Sequence, residues 1–365
     1  MRVLAAMSGG VDSAVAAARA VDAGHDVVGI HMALSQTRDQ HRSGSRGCCS
    51  VEDSYDARRA SDKLGIPFYV WDMAEGFEQT VISDFLSEYA AGRTPNPCVR
   101  CNEHVKFAAL LERGMDMGFD AVCTGHYAWV GRGESGEHTE LRRAANMAKD
   151  QSYVLAVMGH KVINNVIFPL GDVPTKDAVR TEAAARGLGV SLKPDSYDIC
   201  FISDGDTKGF LQRRLGENPG VIQDESGTVV GEHGGAYAYT IGQRRGLGLG
   251  RPAADGQPRF VTNVDVARNV VTVGPAELLD ITGIEADGVT WLAPDVDASD
   301  WIPAGIQVRA HGREIPGRIR VSGGEGGTLA VELDEKLRGL AAGQSVVAYS
   351  GTRVLGQATV ASTHR

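Results

Sequence analysis

The chain has 365 residues, of which 42% are hydrophobic and 23% charged, with a formal net charge of −9. That length provides cores for two or three domains, and the composition is that of a soluble globular protein. It excludes a membrane span and shows no secretory leader, so a cytoplasmic protein with no membrane partner is expected; the negative charge argues against a generic polyanion binder, although a local basic surface can still meet nucleic acid.

Residues 1–32 read as a β-loop-α-β unit. Val3–Met7 is short and apolar enough for a buried strand, Ala14–Ala23 has helical composition and is ended by Gly24, and Val27–Met32 is a second strand. The loop between them is SGGVDS, Ser8–Ser13. Gly9 and Gly10 let the backbone turn tightly and approach a ligand, and the helix start that follows offers N–H groups and partial positive charge to an anion. No Lys-Ser/Thr pair follows the glycines and no GxGxxG is present, so neither a Walker A loop nor a dinucleotide fingerprint is formed. The loop resembles the pyrophosphate loop (PP-loop) of enzymes that split ATP between its α and β phosphates. The competing reading is an ordinary strand-to-helix turn with Ser8 and Asp12 as local caps.

Further along, residues 35–50 have turn composition, while 65–73 and 118–128 read as later strands, each arriving after a helical stretch, as a parallel sheet requires. From about 206 to 273 the chain is glycine-rich with short strand-like runs. From 274 onward GVTWL, IQVRAHG, GRIRVSG, TLAVELD and QSVVAYS are short alternating runs, an all-β signature expected to form a small barrel. The expected organisation is an α/β catalytic domain over 1–205, a small central domain over 206–273 and a C-terminal β-barrel over 274–365.

Six cysteines stand at 48, 49, 98, 101, 123 and 200, too few and too scattered for a secreted disulfide framework, which directs attention to metal or sulfur chemistry. Cys98 and Cys101 form a C-x2-C pair without a second pair, so a zinc knuckle would be incomplete. Cys101, with Arg100 beside it, Lys106 not far on and a helix expected from about Glu103, can have a lowered pKa and act as a thiolate; a buried structural cysteine fits the same residues. Cys123, inside an apolar strand, reads as core.

Taken together, SGGVDS, GRTPNPxxxCN ending at Asn102, TGHYA at 124–128, KDQSYVL at 149–155, DICFI at 198–202 and IGQRRGLGLG at 241–250 occur in one order along the chain. In these motifs the chain resembles the tRNA-specific 2-thiouridylases, the tRNA uridine 2-sulfurtransferases. The resemblance implies an α/β PP-loop ATP pyrophosphatase domain, a small central domain and a C-terminal β-barrel, with ATP and Mg2+ as cofactors, and tRNA and a cysteine desulfurase or sulfur-relay protein as partners of a monomer. Carried over residue by residue, Ala6, Met7, Ser8, Gly9, Gly10, Val11, Asp12 and Ser13 form the ATP loop, with Met32 and Gly125 beside the adenosine. Cys101 matches the nucleophile and Cys200 the persulfide carrier; the two would pass through a transient disulfide. His126, Ala148, Lys149, Asp150 and Gln344 match tRNA-contacting positions, and Arg244 and Arg245 are further candidates for phosphates. An amidating synthetase built on the same PP-loop is the alternative reading.

Two positions depart from the family pattern. Cys98 stands where Asp is common, and His311 and Gly312 replace a basic-aromatic pair, leaving Arg309, Arg313, Arg318 and Arg320 to meet phosphates in the barrel. If Cys98, Cys101 and Cys200 converge, three thiolates could hold a 4Fe–4S cluster with one open iron for sulfide; if they do not, the Cys101–Cys200 persulfide cycle stands with Cys98 as a bystander.

Overall fold

The computed structural model describes residues 1–35, 51–133, 136–194, 199–202, 204–250 and 255–365. Most of the 35–50 stretch, with Cys48 and Cys49, and Asp198 of the DICFI motif lie outside the described residues.

The N-terminal unit forms as its sequence pattern requires. β1 (Arg2–Ala6) is followed by α1 (Val11–Asp22), β2 (Asp26–Ala33), α2 (Val51–Leu64) and β3 (Phe68–Asp72), and after further helices by β4 (Ala121–Cys123). The sheet is parallel in the order β3-β2-β1-β4, with Val166–Ile167 as its other edge. β1 has neighbours that leave in opposite directions along the sheet, and in open α/β sheets ligands bind at that switch point, beyond the carboxyl ends of the strands. The Ser8–Ser13 loop leaves β1 there and the Thr124–Ala128 segment leaves β4 there. The alanines of α1 are buried between the sheet and the helix Lys176–Ala185, where a small side chain allows close packing.

A four-stranded sheet from Gly220–Gln223, Val229–His233, Phe260–Asp265 and Val270–Gly274 forms the middle of the chain. The remaining strands, Asp280–Trp291, Ile302–Gln307, Ile315–Ser322, Thr328–Arg338, Ser345–Ser350 and Arg353–His364, pair in a ring that closes where the first meets the last. The barrel expected from alternating runs is therefore present, and its interior is the cluster around Ile284, Ile306, Ile319, Val346 and Ala358. One hairpin was not foreseen: Trp129–Arg132 and Thr139–Arg142 leave the N-terminal unit and extend the barrel sheet through Arg142 opposite Arg353. None of the described helices is long and apolar enough to cross a membrane.

Two junctions tie the units together. The strap Gly92–Pro97 receives all three: Thr94 N–H donates to Ala342 O at 2.8 Å, Thr94 Oγ1 donates to Thr240 Oγ1 at 3.2 Å, and a Cβ on Gly343 would stand 3.0 Å from Arg93 Cβ. The second junction is Arg143, buried, whose guanidinium donates to Asp150 Oδ2 at 3.2 Å, to Gln307 Oε1 at 2.8 Å and to Glu314 Oε2 at 2.7 Å, and lies 3.5 Å from the centre of the Tyr349 ring. Removing one side of a buried pair leaves an uncompensated charge, at a cost of roughly 3–5 kcal/mol. Arg143→Met should therefore lower the stability by an amount of that order, read as a shift of the urea midpoint at an unchanged slope.

Candidate functional site

The loop after β1 is shaped by backbone contact. Gly9 has φ +81°, and a Cβ there would lie 2.2 Å from the Asp53 carbonyl oxygen in the first turn of α2. A Cβ on Gly125 would lie 2.6 Å from Asp12 C and from Ser13 N. The loop is thus wedged between α2 and the segment that leaves β4. Gly10 is the N-cap of α1 and, being glycine, supplies no side-chain cap. Ser13 Oγ donates to Gly10 O at 3.0 Å and accepts from Ser8 N–H at 3.2 Å, which tightens the turn without covering its outer face. Of the two local caps in the competing reading, Ser8 Oγ does accept from Gly10 N–H, at 3.4 Å, whereas the Asp12 carboxylate turns away to accept from the Tyr127 hydroxyl at 2.6 Å and from Lys176. What remains is an uncapped helix start lined by backbone, suited to a phosphate.

Two lysines that carry no sequence signature complete the loop. Lys193 donates to Gly9 O at 3.1 Å and to Asp53 Oδ1 and Asp56 Oδ2, each at 2.6 Å. Burial alone would lower its pKa, but hydrogen bonds to the two carboxylates outweigh that and raise it, so it stays an ammonium. Lys176 pairs with Asp12. Beneath the loop His31 is buried with Nδ1 2.9 Å from Met7 O, and burial lowers its pKa, so it is a neutral structural ring.

The thiols sit one layer away. The structure corrects the expected helix start near Glu103: Asn96 caps the helix by accepting from Cys98 N–H at 3.1 Å, Pro97 takes the first helical position, and the helix runs through Pro97–Arg100 into a wider π-type turn at Cys101–Ala109. Cys101 therefore lies in the second turn, and Cys98 is the residue near the helix start. Cys101 is buried with Leu34, Phe77, Val81, Ile82 and Val105, and Met32 and Cys200 pack against the same cluster. The segment carrying Cys200 is anchored by its neighbour Phe201, whose ring is 5.3 Å from Phe85 and 5.5 Å from Phe210. Met32, at the end of β2, links this cluster to the sheet that holds the loop.

Cys98 is exposed, Cys101 buried and Cys200 half-buried. Among the described residues no group of three or more His, Cys, Asp or Glu side chains is assembled to hold a metal. Cys123 is core, as its strand implied, and burial pushes its thiol up to about 12.

The residues matched to tRNA contacts divide. Ala148 is exposed, and Lys149 and Gln344 are half-buried. Arg244 and Arg245 are exposed. Asp150 is buried, accepting from Ala144 N–H at 2.9 Å and Ser152 Oγ at 2.7 Å besides Arg143. His126 is buried too, with Nδ1 2.6 Å from Thr124 Oγ1 and Nε2 3.5 Å from Lys106 Nζ. Burial, followed by the Lys106 charge, holds its pKa well below the usual histidine value. Of the barrel arginines, Arg309 is bonded to the Gly339 carbonyl, Arg313 pairs with Glu335 and Arg318 with Glu332, and Arg320 lies over the Trp301 ring.

Comparison with known proteins follows the same three parts. Residues 1–204 match the family described as tRNA methyl transferase HUP domain, residues 208–275 its PRC-barrel domain, and residues 281–360 the aminomethyltransferase beta-barrel domain. The tRNA-specific 2-thiouridylase MnmA of Beutenbergia cavernae is 67% identical over 367 residues, spanning 100% of this chain and 96% of that protein. Proteins of the same description from Streptomyces avermitilis and Acidothermus cellulolyticus are each 58% identical over 100% of this chain, and over 96% and 99% of their own lengths.

The Lys193 clamp makes the loop pH-dependent. Burial opposes ionisation of Asp56, but hydrogen bonds from Lys193 and Arg59 outweigh it and depress the pKa below 3.8. A depressed carboxylate contributes stability above its unfolded pKa and loses it as pH falls through the folded value. Lys193→Met should therefore destabilise most near neutral pH, and its deficit against wild type should shrink below about pH 4 as Asp56 is protonated, followed by thermal unfolding across pH.

Proposed function

The chain belongs to the tRNA-specific 2-thiouridylase family and is a tRNA uridine 2-sulfurtransferase dependent on ATP; we propose that it acts on the wobble uridine of lysine, glutamine and glutamate tRNAs through an adenylated uracil and sulfur carried by cysteine. The observation that carries the ATP step is the glycine-walled, uncapped start of α1 at the switch point of a parallel sheet. The one that favours the sulfur step is the shared apolar cluster of Cys101 and Cys200.

The chemistry follows from the need to make the uracil 2-oxygen leave. O2 attacks the α-phosphate of ATP, the α–β bond breaks, and pyrophosphate departs against the amide face of Gly9–Ser13, a fixed electrostatic environment that needs no reorganisation. Asp12 is the loop carboxylate that would hold Mg2+, which would supply charge neutralisation on the departing pyrophosphate. A sulfur-relay protein loads Cys200 as a persulfide. The Cys101 thiolate attacks the inner sulfur of that persulfide, forms a Cys101–Cys200 disulfide and frees hydrosulfide. Hydrosulfide attacks C2, AMP leaves with the original oxygen, and a thiol reductant returns both cysteines. The anticodon loop suits this because its bases can be splayed into a pocket at less cost than those of a duplex. Exposed Ala148, Arg244 and Arg245, together with Lys149 and Gln344, are the residues through which tRNA would be met, whereas buried His126 and Asp150 would act by holding their segments in place.

Incubation with ATP, a persulfide donor and tRNA, followed by mass spectrometry of the wobble nucleoside, should show one oxygen replaced by one sulfur, with one AMP and one pyrophosphate per turnover. Cys101→Ser and Cys200→Ser should retain the first, tRNA-dependent burst of pyrophosphate and lose sulfur incorporation. Cys98→Ala should thiolate at close to the wild-type rate in protein carrying no iron; loss of turnover in that variant would count against the persulfide route. Formation of AMP with transfer of nitrogen instead of sulfur would point to an amidating synthetase.

A further inference from the structure

We propose that His138 and His160 form a binding site for a divalent transition-metal ion of the zinc type, which on binding pins the hairpin that extends the barrel sheet to the N-terminal unit. None of the residues involved belongs to the Ser8–Ser13 loop or to the thiol cluster, and the proposal does not rest on the thiolation reading.

A cleft of about 570 Å³ opens between the hairpin of Trp129–Arg132 and Thr139–Arg142 and the segment that runs from the helix His160–Ile163 to the edge strand at Val166. His138 lines it from the hairpin and His160 from the helix, with ring centres 6.2 Å apart and planes at 69°. Among the described residues neither imidazole has a hydrogen-bond partner, so the ring nitrogens are left for a ligand. Imidazole nitrogen suits zinc, copper and nickel and is a poor donor for magnesium or calcium.

The backbones that carry the two rings are fixed to each other. His138 O accepts from Gly133 N–H at 3.0 Å, and His160 O accepts from Asn164 Nδ2 at 2.9 Å. Thr139, the residue after His138, donates its hydroxyl to Oδ1 of the same Asn164 at 2.5 Å, which joins hairpin to helix beside the cleft. Only the side-chain torsions of the two histidines remain to be set. Two imidazoles on one tetrahedral zinc, with Zn–N about 2.0–2.1 Å, have ring centres about 5 Å apart. The rings therefore close by about 1 Å on the ion, a movement that rotation about their side-chain bonds supplies.

The surrounding charges favour a cation. Glu137 lines the same cleft. The Asp295 carboxyl is held at about 2, chiefly by its hydrogen bond from Arg353, and the His138 charge is among the smaller contributions, which places a permanent anion near that ring. A carboxylate near a ligating imidazole orients it and raises its basicity. Arg132, the cation of the lining, donates Nη1 to Glu137 O at 3.0 Å. No third protein ligand is assembled with the pair among the described residues, so water completes the coordination.

The test titrates the metal-free full chain with zinc and with cobalt(II), for the wild type, His138→Ala, His160→Ala and the triple variant Cys98→Ala, Cys101→Ser, Cys200→Ser. The triple variant should still bind cobalt, with d–d absorption and no thiolate-to-cobalt charge-transfer band. Each histidine variant should bind at least about tenfold more weakly at this site. Zinc should raise the thermal midpoint of the wild type, by linkage, and leave that of either histidine variant unmoved. Binding that is unchanged in both histidine variants, or that disappears with the cysteines, assigns the ion to the thiols and overturns the proposal. Absence of saturable binding below millimolar metal reduces the pair to a ring contact and overturns it equally. His160 is exposed, so if His138→Ala fails to fold the His160 variant decides.

Discussion

The nucleotide end of the molecule depends on backbones being allowed to touch. A Cβ at position 9 would overlap the Asp53 carbonyl, and one at position 125 would overlap the peptide between Asp12 and Ser13. Both are collisions with backbone, which no rotamer change relieves. The first turn of α1 is consequently held from two sides by backbone, and Gly10, its N-cap, has no side chain with which to cap its amides. Side-chain bonds then finish what the glycines permit. Lys193 pulls the Gly9 carbonyl toward α2, and Tyr127, from the strand exit that Gly125 brings close, fixes Asp12.

From this loop two connected routes lead outward to the other units. One runs from Asp12 through Tyr127 and Gln151 to Asp150, Arg143 and the barrel residues Gln307, Glu314 and Tyr349. The other concerns the thiols: the strap bonded to Ala342 of the barrel and Thr240 of the central unit also carries Asn96, the cap of the helix that contains Cys98 and Cys101. The outer units thus share hydrogen bonds with the segments that set both chemical centres. A hydrogen-bonded route is a geometric fact and no demonstration of energetic coupling, which requires two states.

How much of this could be read in the sequence depended on whether the signal was local. The β1–loop–α1 unit was legible because apolar runs, paired glycines and Gly24 act within thirty residues, and the barrel because alternation recurs strand by strand. The helix start at Asn96–Pro97 was also local, an Asn cap followed by a first-position proline, and placing it near Glu103 overlooked that signal. Other features had no local trace. The hairpin Trp129–Arg132 and Thr139–Arg142 joins a sheet whose other strands begin about 140 residues later, so only the fold could assign it. Lys176 and Lys193 are single lysines in ordinary surroundings until the chain places them on Asp12 and Gly9. Asp150 and His126 illustrate the converse: their motifs marked them for tRNA, and burial shows that neither offers its side chain freely to the surface.

In a chain of net charge −9 the arginines fall into two groups, exposed pairs and a buried one. On the barrel exterior Arg313 faces Glu335, Arg318 faces Glu332 and Arg338 faces Asp280, all with side chains substantially open to solvent on the arginine side. Exposed pairs of this kind contribute about 0–1 kcal/mol each. An arginine held this weakly can exchange its carboxylate for another acceptor at little cost, a phosphate being a bidentate one of higher charge. Buried Arg143 is different: its three acceptors and the Tyr349 face hold it against solvent, and exchange there would leave Asp150 uncompensated. Exposed arginines can serve ligands because their present partners hold them weakly, and the buried one serves the fold because its partners do not.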